Sequence, residues 1–208
     1  MTQPVNYSWF PVGERLTVPF EANQGRRVNV IGGAFTHGPD AGRLEFAVRV
    51  SLPKNKAKNP RKTAEERAQA HGVKAEDVGP LNAEVFLSFV WRLAGRPPKA
   101  GSPLPEGWKR ERPLVIVLDN YSVHKCERVR EEKSLLEAAD VHLFSLPSYT
   151  PELSAIEPIW QDVKHHGLSQ RSHDQLGSLL QSVIEALQSK AKKLRQARLL
   201  PHSLCGTT

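Results

Sequence analysis

The chain has 208 residues, 39% hydrophobic and 25% charged, enough to enclose one sizeable core. No apolar run reaches the ~18 residues of a membrane span, and MTQPVNYSWF lacks the basic start and apolar stretch of a signal peptide, so a cytoplasmic protein without a membrane partner is expected. A net charge of +7 and a pI near 9.6 favour a polyanionic partner, while Cys126 and Cys205, with no CxxC spacing, read as free thiols rather than a disulfide scaffold or zinc ribbon.

In chain order, RRVNVIGGAF (26–35) and RLEFAVRV (43–50) are β-rich runs joined by the turn-forming THGPDAG, which predicts a hairpin. The second run alternates Leu44, Phe46, Val48 and Val50 against Glu45 and Arg49, the pattern of a half-exposed strand toward a sheet edge. Residues 51–80 turn to Lys, Asn, Pro, Ala and Glu without a lasting apolar period. They read as a coreless basic insertion, with a short helix at TAEERAQAHG. NAEVFLSFVWRLAG (82–95) predicts a helix with Asn82 as N-cap and Gly95 as its stop. LVIVL (114–118) has no polar alternation, the pattern of a central strand covered on both faces. A helix is expected over 122–139, a second buried strand over 141–146 and a rigid turn at PSYTP (147–151). The last helix, 172–198, starts from a Ser172–Gln175 capping box and carries a leucine-rich stripe suited to a core or a partner helix.

Strand, helix, strand joins parallel strands, so Asp119 is expected at the carboxyl edge of the sheet, where open α/β folds place ligands. Alone, an Asp-Asn after a strand can equally cap a helix or shape a turn. A second carboxylate, Glu157, follows the next strand and turn in LPSYTPELSAIEPIW, a spacing that can bring both to one edge. Carboxylates gathered there repel one another unless a divalent cation neutralises them, and hard oxygen ligands suit Mg²⁺ or Mn²⁺. Two basic clusters stand apart: seven Lys/Arg in 53–74, among them Lys54, Lys56, Lys58, Arg61 and Lys62, and five in 190–198, among them Lys190, Lys192, Lys193 and Arg195. Each is a candidate phosphate-binding array or a solvated surface. Tyr149 and Trp160 read as packing residues, and the adjacent His165 and His166 point different ways on a helix, which makes a poor metal pair.

LDNYSVH followed by LPSYTPELSAIEPIWQDVKHH resembles the catalytic core of mariner-type DDE transposases of bacterial insertion sequences. Similarity extends weakly to residues 8–35 and covers most of the chain except 51–80. The resemblance implies an α/β, RNase H-like fold, a mixed sheet flanked by helices and lacking part of the first strand region. It implies one partial catalytic domain spanning 1–208, metal-dependent cleavage of DNA and joining of its 3′ ends, and transposon ends and target DNA as partners, with a homodimer as a candidate assembly. Asp119 takes the place of the family's second catalytic carboxylate and Glu157 of its third, both as Mg²⁺ or Mn²⁺ ligands; His124 takes that of the family histidine, and Asn120 either orients Asp119 or turns the chain. Ser154 and Ala155 stand where the family usually has Asn-Pro, and no Asp or Glu precedes Glu14, so the first aspartate is missing. A shared carboxylate normally bridges two such metals. The expectation is therefore an N-terminally truncated transposase portion, impaired alone, with a non-catalytic DNA-binding or dimerising remnant as the alternative. An α/β phosphotransferase using Asp119 as phosphoacceptor is a third reading.

Overall fold

The computed structural model describes residues 27–52, 63–95, 108–147, 150–168, 173 and 175–199. The first two β-rich runs pair as expected: β1 (Arg27–Ala34) and β2 (Leu44–Ser51) are antiparallel, with Val28 opposite Val50 and Ala34 opposite Leu44. The alternation read from β2 shows in its burial, since Leu44 and Val50 are buried and Phe46 and Val48 pack partly against the last helix. The turn returns through Gly42 at φ +80°, where a Cβ would also stand 2.9 Å from the Leu194 carbonyl oxygen, so glycine alone meets both demands.

Beyond the hairpin the structure corrects the reading of a coreless insertion over residues 63–79. Thr63 and Glu66 form a reciprocal cap, the Glu66 N–H donating to Thr63 Oγ1 at 3.2 Å and the Thr63 N–H to Glu66 Oε2 at 2.9 Å. They start α1 (Ala64–Ala70), whose Ala68, with Val73 after it, is buried beside Val50, Leu176 and Leu180. Val78 then bridges in parallel to Val50, and the Gly79 N–H donates to the Val50 carbonyl at 3.0 Å. One alanine and two valines supply this contact, too few to mark a period in a Lys- and Glu-rich stretch.

Helix α2 (Ala83–Leu93) begins where expected, with Asn82 Oδ1 accepting the Val85 N–H at 3.0 Å. It is buried on most sides through Phe86, Leu87, Phe89, Val90, Trp91 and Leu93. Strands β3 (Leu114–Leu118) and β4 (Val141–Ser145) pair in parallel, Leu114 opposite Val141 and Leu118 opposite Ser145, joined by the crossover helix α3 (Glu127–Ala138). The helix expected over 122–139 is divided: a 3₁₀ turn spans Ser122–Lys125, and Cys126, with extended φ and ψ, separates it from α3. Covering of β3 on both faces is also corrected, because Val115 is 61% exposed, Val117 55% and Phe144 61%. Helices α2 and α3 cover the face of Leu118 and Val141, whereas the last helix lies on the hairpin.

Helix α4 (Glu157–Asp162) runs into a π turn, Val163–Gly167, and α5 (Leu176–Leu199) follows; the expected cap Ser172 lies outside the described residues. Val183, Ala186 and Leu187 of α5 pack with Val163 against Val28, Val30, Phe46 and Val48. Trp160 packs as expected, its ring filling the space over Gly32 in β1. The result is mixed α/β, small sheets flanked by helices, with the antiparallel and parallel pairs not hydrogen-bonded to one another among the described residues.

Segment 63–79 also docks on α5 through a backbone contact. The Gly177 N–H donates to the His71 carbonyl at 3.0 Å, and a Cβ on Gly177 would stand 2.5 Å from the Gly72 carbonyl oxygen. Backbone cannot rotate aside as a side chain can, so Gly177→Ala is expected to lower stability by about 1–3 kcal/mol, the usual cost of overpacking. Urea unfolding of wild type and variant measures it; an unchanged midpoint would show that the contact is not made.

Candidate active site

Strand pleating decides which way the residues at the end of β3 point. Asp119 continues the open face of Val115 and Val117, and its side chain is 60% exposed. Its Oδ1 accepts a hydrogen bond from the Tyr121 N–H at 3.0 Å and lies in ion-pair contact with His124 Nδ1 at 2.9 Å, while Nδ1 is hydrogen-bonded to the Asp119 carbonyl oxygen at 3.3 Å. Oδ2 has no partner among the described residues. His124 is 12% exposed, and its ring lies 4.5 Å from Phe86 of α2 and edge-on to Tyr121 at 5.7 Å.

Asn120 points the opposite way and does not touch the Asp119 carboxylate. Its Nδ2 donates to the Leu146 carbonyl at 2.9 Å and to the Pro147 carbonyl at 2.6 Å, tying the end of β3 to the loop leaving β4. That loop continues with Thr150 Oγ1 donating to the Pro147 carbonyl at 2.8 Å and a 3₁₀ turn at Pro151–Leu153, while Tyr149 lies outside the described residues. It delivers Glu157 as the first residue of α4, its N–H donating to the Ser154 carbonyl at 3.1 Å. The Glu157 carboxylate is half-buried and has no hydrogen-bond partner among the described residues. The parallel register therefore starts both loops at one sheet edge. Among the described residues, however, no three His, Cys, Asp or Glu side chains gather to hold a metal, so Glu157 does not join the Asp119–His124 pair.

Of the basic residues, Lys54, Lys56, Lys58, Arg61 and Lys62 lie outside the described residues. Lys190 is engaged within the fold. Its Nζ donates to Asp162 Oδ2 at 2.6 Å, the two side chains being 20% and 37% exposed, because α5 packs on α4 and its π turn. Lys192, Lys193 and Arg195 are exposed, and Lys192 and Arg195 line a groove of ≈ 380 Å³ with Gln188, Gln196, Leu44 and Phe46. His165 and His166 are exposed on the π turn, and Cys126 is a free thiol.

A buried layer beneath a parallel strand pair, with Asp119 just past β3 and Glu157 opening α4, defines a mixed α/β domain. A family model described as DDE superfamily endonuclease matches residues 67–180, more than half of the chain, and the chain belongs to that family. The architecture is consistent with the family's RNase H-like nuclease fold. The matched span contains Asp119, Asn120, His124 and Glu157; it begins within α1, inside the stretch read as an insertion, and leaves the hairpin outside. Comparison with curated proteins gives no match. No described helix is long and apolar enough to cross a membrane.

Two measurements check this geometry. Asn120→Ala removes the donor to the Leu146 carbonyl and one of two to the Pro147 carbonyl and should cost about 1–3 kcal/mol, seen as a lower denaturation midpoint. The Lys190 ammonium holds the Asp162 carboxyl below the usual carboxylate range. A lowered folded-state pKa contributes stability above the unfolded value of about 3.9, lost as pH falls through the folded value. Asp162→Asn should thus be less stable than wild type near neutrality, with the gap closing progressively as the pH falls below about 3.9; a gap that stays constant on acidification would exclude the pair as the source.

Proposed function

We propose that this chain carries the catalytic core of a mariner-type insertion-sequence transposase, in which Asp119 and Glu157 hold Mg²⁺ or Mn²⁺ for cleavage of DNA and transfer of its 3′ ends. The observation that carries the reading is the state of Asp119 within the family-matched span: its side chain is 60% exposed at the sheet edge, Oδ1 meets the Tyr121 N–H and His124 Nδ1, and Oδ2 has no partner among the described residues. Glu157, at the start of α4 and without a hydrogen-bond partner among the described residues, is the second hard oxygen donor, of the type that Mg²⁺ or Mn²⁺ takes together with water and phosphate. When bound, such an ion activates water or a 3′ hydroxyl and stabilises the departing oxygen. The protein's own part is to hold the two carboxylates on rigid strand ends, through Asn120 and the first turn of α4, and to present DNA to them.

With no third acid beside Asp119 among the described residues, the ion is held by fewer ligands than a full set provides, and slow turnover by the isolated chain follows. A second reading, a non-catalytic DNA-binding or dimerising protein, draws on the exposed Lys192, Lys193 and Arg195 of α5, which can neutralise phosphates without any metal.

Supercoiled plasmid incubated with the chain in Mn²⁺ separates the two. Slow nicking is expected, stopped by EDTA and reduced roughly 10²-fold or more in Asp119→Ala and Glu157→Gln, as loss of a metal ligand demands. Nicking that persists in both variants would sink the assignment. An intact plasmid with salt-sensitive binding that ignores EDTA would install the second reading.

A further inference from the structure

Asp119 is the most exposed member of the site, and an exposed aspartate side chain ordinarily exchanges among staggered rotamers. Here it is restrained from one side only. The His124 ring is wedged against Phe86 and Tyr121, at 4.5 Å and 5.7 Å between ring centroids, and 12% of its side chain reaches solvent. Its Nδ1 stands 2.9 Å from Asp119 Oδ1 and 3.3 Å from the Asp119 carbonyl oxygen. Carbonyl and carboxylate oxygens only accept, so Nδ1, hydrogen-bonded to the carbonyl and in ion-pair contact with Oδ1, carries the proton. The Tyr121 N–H takes the same Oδ1 at 3.0 Å. Both groups meet Oδ1, and Oδ2 has no hydrogen-bond partner among the described residues.

We propose that His124 is a positioning residue: its Nδ1–H fixes the Asp119 rotamer so that Oδ2 alone faces the cation, and the core sets the direction of the ligand through Phe86. Partners of this kind, hydrogen-bonded to a ligating carboxylate, typically change metal affinity 10–100-fold when removed. The inference rests on the reading of Asp119 as a metal ligand. The competing role for His124 is to fill space between Phe86 and Tyr121.

Two substitutions divide the roles. His124→Phe keeps a ring against Phe86 and Tyr121 but removes the donor; His124→Asn keeps a donor near the Nδ1 position but removes the ring. Mn²⁺ binding, followed by the loss of the free-ion EPR signal, is expected to weaken about 10–100-fold in His124→Phe and to stay close to wild type in His124→Asn. Thermal midpoints should run in the reverse order. Without metal, NMR couplings of the Asp119 Cβ protons should report one rotamer in wild type and His124→Asn and averaging in His124→Phe. Tight Mn²⁺ binding and a single rotamer in His124→Phe would overturn the proposal. Asp119→Asn is the control: if Mn²⁺ binding survives it, the metal-ligand reading of Asp119 falls, and the couplings still decide whether His124 orients the side chain.

Discussion

Burial of α2 between the hairpin and the parallel pair is the constraint on which the remaining structure depends. On one side Phe86, Leu87, Val90, Trp91 and Ala94 form a common core with Leu118, Val129, Leu136 and Val141. On the other, Phe89 and Leu93 lie over Gly33 of β1, and Arg92 donates to the Phe46 carbonyl at 2.6 Å. Burying a large apolar side chain contributes about 1.5–3 kcal/mol, while a typical net hydrogen bond contributes about 1 kcal/mol. The six large side chains of α2 therefore outweigh the polar contacts around them. Those contacts set register instead: Glu132 of α3 accepts from Trp91 Nε1 at 3.0 Å and from Arg128 at 2.8 Å, and Arg128 reaches Glu84 of α2 at 2.8 Å.

The same helix reaches the chemistry. Phe86 belongs to the core yet lies against the His124 ring, which in turn holds Asp119. The Asp119 side chain is 60% exposed, whereas that of His124 beside it is 12% exposed. Asn120 serves the other loop. By donating to two carbonyls beyond β4 it keeps the loop that leads to Glu157 attached to the strand that ends in Asp119. Neighbouring residues thus act in opposite directions because successive side chains of a strand leave on opposite faces.

Charge is distributed less simply than the basic composition suggests. Lys190 is spent within the fold on Asp162, where it joins α5 to α4, and Arg198 donates to the carbonyls of Pro39 and Gly38 in the hairpin turn. What remains on α5 for a polyanion is Lys192, Lys193 and Arg195. The basic run of this helix serves both packing and surface, and a count of cations does not divide the two.

Local signals determined a good deal of this protein from sequence. The hairpin follows from two β-rich runs around a Gly-Pro-Asp turn, α2 from Asn82 and an apolar period, and the parallel pair from strand, helix and strand in succession. Each is written in a contiguous stretch of the chain, and the last places Asp119 at the carboxyl edge of β3. Tertiary structure alone decided what depends on residues far apart in the chain. Gly72 against Gly177 docks α1 and the turn after it on α5; Asp162 claims Lys190; Phe86 lies against the His124 ring. The open face of Val115, Val117 and Phe144 belongs here too, since an apolar run shows that a strand suits burial but not which helices are left to cover it. Periodicity records the face a residue presents; only the packed chain settles what meets that face.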